Sequence, residues 1–190
     1  ANTTVTAGTG VTVTSGNVNI DTGNIVMSSA SSTITVRNIT TGNSATTGTM
    51  TGDWSLTAGS RFEATYADLA EYYEADAEYE VGTVMVLGGD KEVTQSSDHC
   101  STKIAGVISN TAAFTMNQDC EGIAACIALI GRVPVKVIGT VEKGDMLVAS
   151  GIPGYAIVDN NPKIGSVIGK AINSKTDADK GVVEALVGRL

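Results

Sequence analysis

The chain has 190 residues, of which 42% are hydrophobic and only 4% aromatic, and its formal net charge is −8. No apolar run approaches the roughly 20 residues that a membrane-spanning helix needs, so we predict no membrane insertion. Eight acidic residues and no Lys or Arg lie between Phe62 and Asp90, which places the whole net charge in one segment. Such a segment repels phosphate groups, so nucleic acid is excluded as a partner. Because the chain opens on Ala1 without Met or a signal-peptide pattern, we expect a piece of a longer polypeptide.

Residues 1–60 are rich in Thr, Ser, Gly and Asn and contain short apolar runs between Gly or Ser turns. Most of these runs alternate apolar with polar residues, which is typical of half-buried strands. Their few apolar side chains cannot offset the entropy of ordering the backbone, at roughly 1–2 kcal/mol per residue. The segment is therefore either disordered or shares a core with sister chains, and the alternation favours the second. We predict a fibrous multi-chain β shaft, formed by a homotrimer. The runs are Val11–Thr14, Asn17–Ile20, Ile25–Met27 and Ile34–Val36.

Residues 61–79 form an acidic connector. Within it, residues 66–75 contain many good helix formers, but an extended segment is equally compatible with the pattern. Both alternatives stay open from the sequence alone.

Residues 80–190 contain the same short motifs twice, in the same order. Each copy holds about three short apolar runs next to Gly, too few to close a core alone, whereas two copies side by side bury one shared core. We predict an all-β architecture in which the shaft is followed by an internally duplicated small β-barrel-like domain, with repeats at about 80–137 and 142–190. The matched pairs are Glu80–Val86 with Glu142–Val148, Lys103–Ile108 with Lys163–Ile168, and Ala128–Val133 with Ala185–Leu190.

Three cysteines with irregular spacing do not form a disulfide framework. Cys126 lies in an apolar run and is interpreted as a small buried hydrophobe. Cys100 and Cys120 lie in polar stretches and can pair with each other only in an oxidising compartment.

Four motifs follow one another along the chain: Ala58–Tyr73, Tyr79–Val84, Gly106–Ser109 and Gly131–Val137. Together they resemble the C-terminal region of bacteriophage tail fibres and tailspikes, and in particular the peptidase G2, or intramolecular chaperone, domain. The resemblance implies a homotrimeric virion fibre protein whose β domain assists assembly or caps the tip. It also implies self-cleavage, for which Asp68 and Glu71 are the acids of the matching motif, although no nucleophile can be mapped. The alternative for these two acids is a solvated pair at the junction.

His99, the only histidine, lies in a polar stretch that favours an exposed side chain. Its neighbours Asp98 and Cys100 are adjacent to it, and adjacent residues rarely converge on a metal ion. The acidic segment has no EF-hand order, and the Gly-rich turns lack nucleotide-binding motifs. We therefore predict no metal and no cofactor.

Two loops are the best candidates for contact with a host receptor or a neighbouring subunit, because both are longer in the first copy than in the second. The first loop contains Asp98 and His99, and the second contains Thr111, Phe114 and Asn117.

Three hypotheses for function follow. The first is a structural and adhesion protein of a phage tail fibre or similar extracellular appendage. The second is a self-cleaving maturation domain of such a fibre. The third is a filament subunit that polymerises head to tail.

Overall fold

The computed structural model describes residues 42–43, 46–47, 55–56, 58–59, 61 and 63–188. The chain divides into two units between Ser55 and Leu56. The predicted shaft, residues 1–60, lies outside the described residues except for a few positions. Among these, β1 and β2 form a two-residue antiparallel pair.

Every regular element in the described part of the chain is a β-strand, which confirms the all-β prediction. No described helix is long and apolar enough to span a membrane. The strands are β1 Gly42–Asn43, β2 Thr46–Thr47, β3 Asp68–Ala75, β4 Val84–Leu87, β5 Val93–Gln95, β6 Ile104–Ile108, β7 Phe114–Met116, β8 Ile123–Ile138, β9 Met146–Ala149, β10 Ala156–Val158, β11 Val167–Ala171 and β12 Lys180–Val187.

Strands β3 to β12 form one ten-stranded sheet in the order β10-β9-β11-β12-β8-β6-β4-β5-β3-β7. Two further pairings, β10 with β8 and β8 with β3, connect strands that are distant in this order. Pairing therefore runs around two circuits that share the sixteen-residue strand β8. The first circuit contains β3, β5, β4, β6 and the first half of β8, and the second contains the second half of β8, β12, β11, β9 and β10.

Alternating side chains build two apolar core clusters, because successive residues of a strand point to opposite faces. The larger cluster spans both circuits, since Val84, Val107 and Ala128 of the first circuit pack into it with residues of the second. In the second half of β8, Val133, Val135 and Val137 are fully buried, and on the facing strand Val183 and Ala185 are buried against them. The second core cluster lies in the first circuit and contains Ala75, Met85, Val93, Ile108, Ala125 and Ile127.

Backbone pairing follows the same scheme in both circuits. Ala75 on β3 pairs with Ile123 and, in parallel, with Val93. Val137 on β8 pairs in the same way with Gly181 and, in parallel, with Ala156.

Hydrogen bonds outside the ladders recur at the matching positions. The amide of Ser96 donates to the carbonyl of Val84 at 2.9 Å, and the amide of Asp159 donates to that of Met146 at 3.0 Å. The bulged pairing also recurs, since Ile104 faces Val86 and Val167 faces Val148. The pairing thus matches Ile104 with Val167, whereas the sequence comparison matched it with Ile164.

The structure decides between the two conformations that the sequence left open for the acidic connector. Residues 68–75, within the predicted acidic connector, form β3, so the extended alternative holds for this stretch rather than the helix.

The connection from β6 to β8 spans residues 109–122 and contains β7, which pairs in parallel with β3. The connection from β11 to β12 spans residues 172–179 and contains no strand.

Candidate functional site

Asp68, the first residue of β3, is a buried carboxylate. Only 3% of the residue is exposed, and neither carboxylate oxygen has a hydrogen-bond partner among the described residues. Burying a carboxylate without partners costs several kcal/mol of folding free energy, on the order of the whole stability of a small domain. A fold retains such a group at a cost, and buried acids in specific environments occur often at functional sites.

Strand β8 holds the peptide unit that precedes Asp68. The amide of Arg132 donates to the carbonyl of Ala67 at 3.1 Å. Gly131 faces Asp68 across the ladder, and a Cβ added there would collide with the Ala67 carbonyl and lie 2.7 Å from Cα of Asp68. Gly131 has a φ of +119°, which L side chains rarely adopt. Glycine is therefore required for β8 to approach this peptide unit.

The β7 connection holds the peptide unit that follows. The amide of Ala113 donates to the carbonyl of Asp68 at 2.8 Å. The side-chain amide of Asn117 donates to the carbonyl of Tyr72 at 2.7 Å. Both carbonyls that flank Asp68, those of Ala67 and Asp68 itself, thus accept backbone hydrogen bonds from distant parts of the chain.

Glu71 does not join Asp68. The two residues are three positions apart on one strand, so their side chains point to opposite faces of the sheet. The half-buried carboxylate of Glu71 accepts a 2.7 Å hydrogen bond from the hydroxyl of Tyr73. The structure therefore separates the two acids that the motif brings together in sequence.

Cys126 is a half-buried thiol opposite Tyr72 on the ladder, rather than a fully buried one. Burial raises the pKa of Cys126, a hydrogen bond with Tyr72 lowers it, and the negative charge of Asp68 raises it further. The charge of Cys126 and burial raise the pKa of Tyr72 in turn. Because these effects keep the thiol protonated near neutral pH, Cys126 is a poor nucleophile.

The first predicted contact loop is a surface turn. Asp98 and His99 are exposed, as the polar stretch predicted for His99. The Sγ of Cys100 lies 3.2 Å from Nε2 of His99 and donates to Asp159 Oδ2 at 3.5 Å. Burial and the Asp159 carboxylate raise the pKa of Cys100.

The second predicted contact loop belongs to the β7 connection. Thr111 is half-buried, and its amide donates to the hydroxyl of Ser109 at 3.2 Å. Phe114 is 60% exposed and pairs with Leu69 of β3, whereas Asn117 is exposed and bound to Tyr72 as described above.

No three His, Cys, Asp or Glu side chains are grouped to hold a metal ion within the described ranges. All three cysteines are free thiols, so Cys100 and Cys120 are not paired.

Asp68 was predicted from its motif, but the residues that surround it were not. Two of these residues, Ala113 and Arg132, act through their backbone amides, and Gly131 acts through the absence of a side chain. The residue types in the sequence do not reveal either role. The glycine of the Gly131–Val137 motif was the one signal that could have pointed to this approach.

Residues 5–121 match the sequence model of one family, described as Peptidase_G2, IMC autoproteolytic cleavage domain. The match confirms the resemblance drawn from the motifs, although it begins earlier and ends before β8. No curated protein matches the chain.

Among solved structures, the pre-mature gene product 12 of bacteriophage phi29 aligns with 69% of this chain at 19% identity and a TM-score of 0.51. This likeness shows a shared fold, and the chain spans only 23% of the length of that protein. A C-terminal fragment of the same gene product gives a TM-score of 0.46 at 20% identity, over 63% of this chain and 99% of the fragment. The N base of the phi29 head fiber gp8.5 gives 0.38 at 16%, over 63% of this chain and 93% of that one. These two scores lie below 0.5 and do not by themselves show a shared fold.

Proposed function

The chain belongs to the Peptidase_G2 family of IMC autoproteolytic cleavage domains, and from this premise we propose that it is the self-cleaving maturation domain of a bacteriophage fibre or related virion appendage. The burial of Asp68, with no hydrogen-bond partner among the residues that the structure describes, is the observation that supports self-cleavage best. A purely structural fibre segment has no use for such a group, which destabilises the fold. The appendage itself is supported by the family and by the fold shared with a phage protein.

We place the cut in residues 56–69, the stretch that leads into β3 and ends next to Asp68. Peptide hydrolysis adds the oxygen of one water molecule to a carbonyl carbon, breaks the C–N bond and leaves a carboxylate and an amine. In this scheme Asp68 takes the proton from the attacking water and returns it to the leaving nitrogen, as a general base and then a general acid. Backbone amides that polarise nearby carbonyls, such as those of Ala113 and Arg132, assist the same step.

The test compares Asp68→Asn with the wild-type chain by gel and intact mass after refolding. We expect two fragments from the wild type and an intact Asp68→Asn chain. The variant should also melt at a higher temperature, because a neutral amide costs less to bury than a carboxylate that has no partner within the described chain. The matched control, Asp90→Asn at an exposed turn between β4 and β5, should cleave at the wild-type rate. Cleavage of Asp68→Asn at that rate would refute the assignment.

We further propose that the appendage is a homotrimer with a multi-chain β shaft. A row of apolar residues across three adjacent strands, two of them largely exposed, supports an association with further copies of the chain. Phe114, Leu69 and Ile130 are directly opposite one another on β7, β3 and β8, and Phe114 and Ile130 are 60% and 57% exposed. Exposed rows of this kind mark protein interfaces.

The two circuits are proposed to be copies of one duplicated unit. The recurring ladder registers, bulges and connecting hydrogen bonds support a duplication at residues 68–130 and 131–187, earlier boundaries than those predicted from the motifs.

Attachment to a host receptor is a second function, favoured by the exposure of Asp98 and His99 at a surface turn. Asp98→Ala combined with His99→Ala should abolish binding of the assembled appendage to host cells while cleavage continues. Unchanged binding would remove the turn from the receptor surface.

A further inference from the structure

The β7 connection is longer than its counterpart in the second circuit, although both begin in the same way. The amide of Ser109 donates to the carbonyl of Cys126, and the amide of Ile172 donates to that of Glu184, each to the strand that follows its connection. Residues 109–122 then make a fourteen-residue path to β8, whereas residues 172–179 reach β12 in eight.

The second circuit closes without any counterpart of β7. Its strands pair around the full ring through β8, β12, β11, β9 and β10. The first circuit has the same five pairings without counting β7. The additional residues are therefore not needed to close a ring of this kind.

The extra residues instead lie against the strand that carries Asp68. Residues Phe114–Met116 pair in parallel with Leu69–Glu71, directly after Asp68. On either side of this pairing, Ala113 binds the carbonyl of Asp68 and Asn117 binds that of Tyr72. Asn117 has a φ of +54°, a left-handed conformation that Asn tolerates better than most residues and that turns the chain away after its contact.

These contacts fix five consecutive residues of β3 from the side opposite β8. The position of the Asp68 carboxylate is set by its backbone, since its oxygens have no hydrogen bonds within the described chain. A catalytic group loses on the order of a hundredfold in rate when it is displaced by about 1 Å. Holding the backbone is thus the available means of holding the carboxylate.

We propose that residues 109–122 are a positioning element for Asp68, which the self-cleavage reaction needs and the β circuit does not. This inference rests on the proposed function, because it assigns a role in the same reaction. Asn117 and the amide of Ala113 act through β3 and are positioning groups rather than catalytic ones.

The test replaces residues 110–122 with residues 173–179 of the shorter connection, in the full chain. We expect this graft to fold with a cooperative thermal transition and to cleave more slowly by on the order of a hundredfold. Asn117→Gly, which removes only the side-chain donor and keeps the left-handed turn, should slow cleavage in the same direction and leave the melting temperature nearly unchanged.

A control separates positioning from a general loss of stability. Val183→Ala creates a cavity in the second circuit, far along the chain from Asp68, and should lower the melting temperature while cleavage continues at the wild-type rate. If Val183→Ala and the graft slow cleavage in proportion to lost stability, the positioning role is refuted.

The remaining outcomes are also decisive. A graft that cleaves at the wild-type rate overturns this inference and leaves the proposed function intact. A graft that does not fold overturns the claim that the circuit closes without the element. A wild-type chain that never cleaves overturns the proposed function itself.

Discussion

Gly106 on β6 and Gly169 on β11 occupy the same place in the two circuits. Each lies at the bulged pairing with its neighbouring strand, β4 or β9. A Cβ added to Gly106 would collide with the carbonyl of Ala128, and one added to Gly169 would collide with that of Leu186. In both circuits, glycine allows the backbones of adjacent strands to approach more closely than any side chain permits.

Gly106→Ala and Gly169→Ala are therefore expected to destabilise the chain by similar amounts, about 1–3 kcal/mol each. Backbone atoms form both collisions, so a side-chain rotation cannot relieve them. Gly151→Ala is the control, because a Cβ there would meet no atom within 4 Å. Urea unfolding at neutral pH provides the measurement, and an unchanged midpoint for either variant would contradict the close approach.

Lys175 acts as an internal cation between the second half of β8 and β12. Its ammonium, on a side chain that is only 10% exposed, donates to the carbonyls of Gly139, Asp177 and Asp179 at 3.3, 2.8 and 2.6 Å, and to Asp177 Oδ1 at 2.6 Å. Lys175→Met should cost about 2 kcal/mol, because these oxygens lose a charged donor. Lys170→Met, at an exposed position of β11, should cost almost nothing. Equal unfolding midpoints for the two variants would rule out this role.

Asp145 gives the stability a defined dependence on acid. Its Oδ1 accepts from Asn160 at 2.8 Å and its Oδ2 from the amide of Glu142 at 2.7 Å. The hydrogen bond from Asn160 is the main reason that the pKa of Asp145 lies below its usual value of 3.8. The folded state therefore binds this proton less readily than the unfolded state, so the stabilisation is complete above about pH 4 and is lost as the pH falls through the folded pKa.

Asp145→Asn should consequently be less stable than the wild type at neutral pH and approach it in stability as the pH falls below about 4. Unfolding midpoints measured across this range provide the test, with Asp119→Asn as the exposed control. A difference that stays constant with pH would show that Asp145 contributes no titrating stabilisation.

The apolar row of Phe114, Leu69 and Ile130 predicts how the chain associates. Phe114→Ser and Ile130→Ser should each weaken assembly by about tenfold or more, since burying such a side chain contributes roughly 1.5–3 kcal/mol. Ile164→Ser is the matched control, because Ile164 is 98% exposed but lies alone at a turn. Analytical ultracentrifugation over a concentration series measures the effect, and an unchanged association state in both row variants would contradict the interface.

Alternation in the sequence predicted some buried faces correctly. Val133, Val135 and Val137 alternate with polar residues and Pro134, and all three are fully buried. This pattern succeeds because a strand with one buried face repeats every two residues whatever it pairs with. Residues 68–75 carry no such clear pattern, because β3 is flanked by β7 and β8 and all but three of its residues are half-buried. Its strand conformation is set by these partners, which the local sequence does not reveal.

The candidate site was also predicted from the sequence only in part. Asp68 and Glu71 were both recognisable from the motif. Only the structure shows that Asp68 is buried with no partner in the described part of the chain, and that Glu71 bonds to Tyr73 on the other face. Burial depends on residues such as Gly131 that are far away in sequence. The correspondence between β6 and β11 also escaped the motif comparison. The ladders match Ile104 with Val167, whereas Ile164 is the residue of the same chemical type in the matching motif.

The central claim is that this chain hydrolyses its own backbone next to a buried carboxylate, and the most direct measurement is intact-mass spectrometry of the wild-type chain as it refolds in water enriched in oxygen-18. We predict two fragments that meet within residues 56–69, with one heavy oxygen at the carboxyl terminus of the first fragment and no fragments from Asp68→Asn. A wild-type chain that keeps its intact mass throughout, or that is cut outside this stretch, would contradict the account.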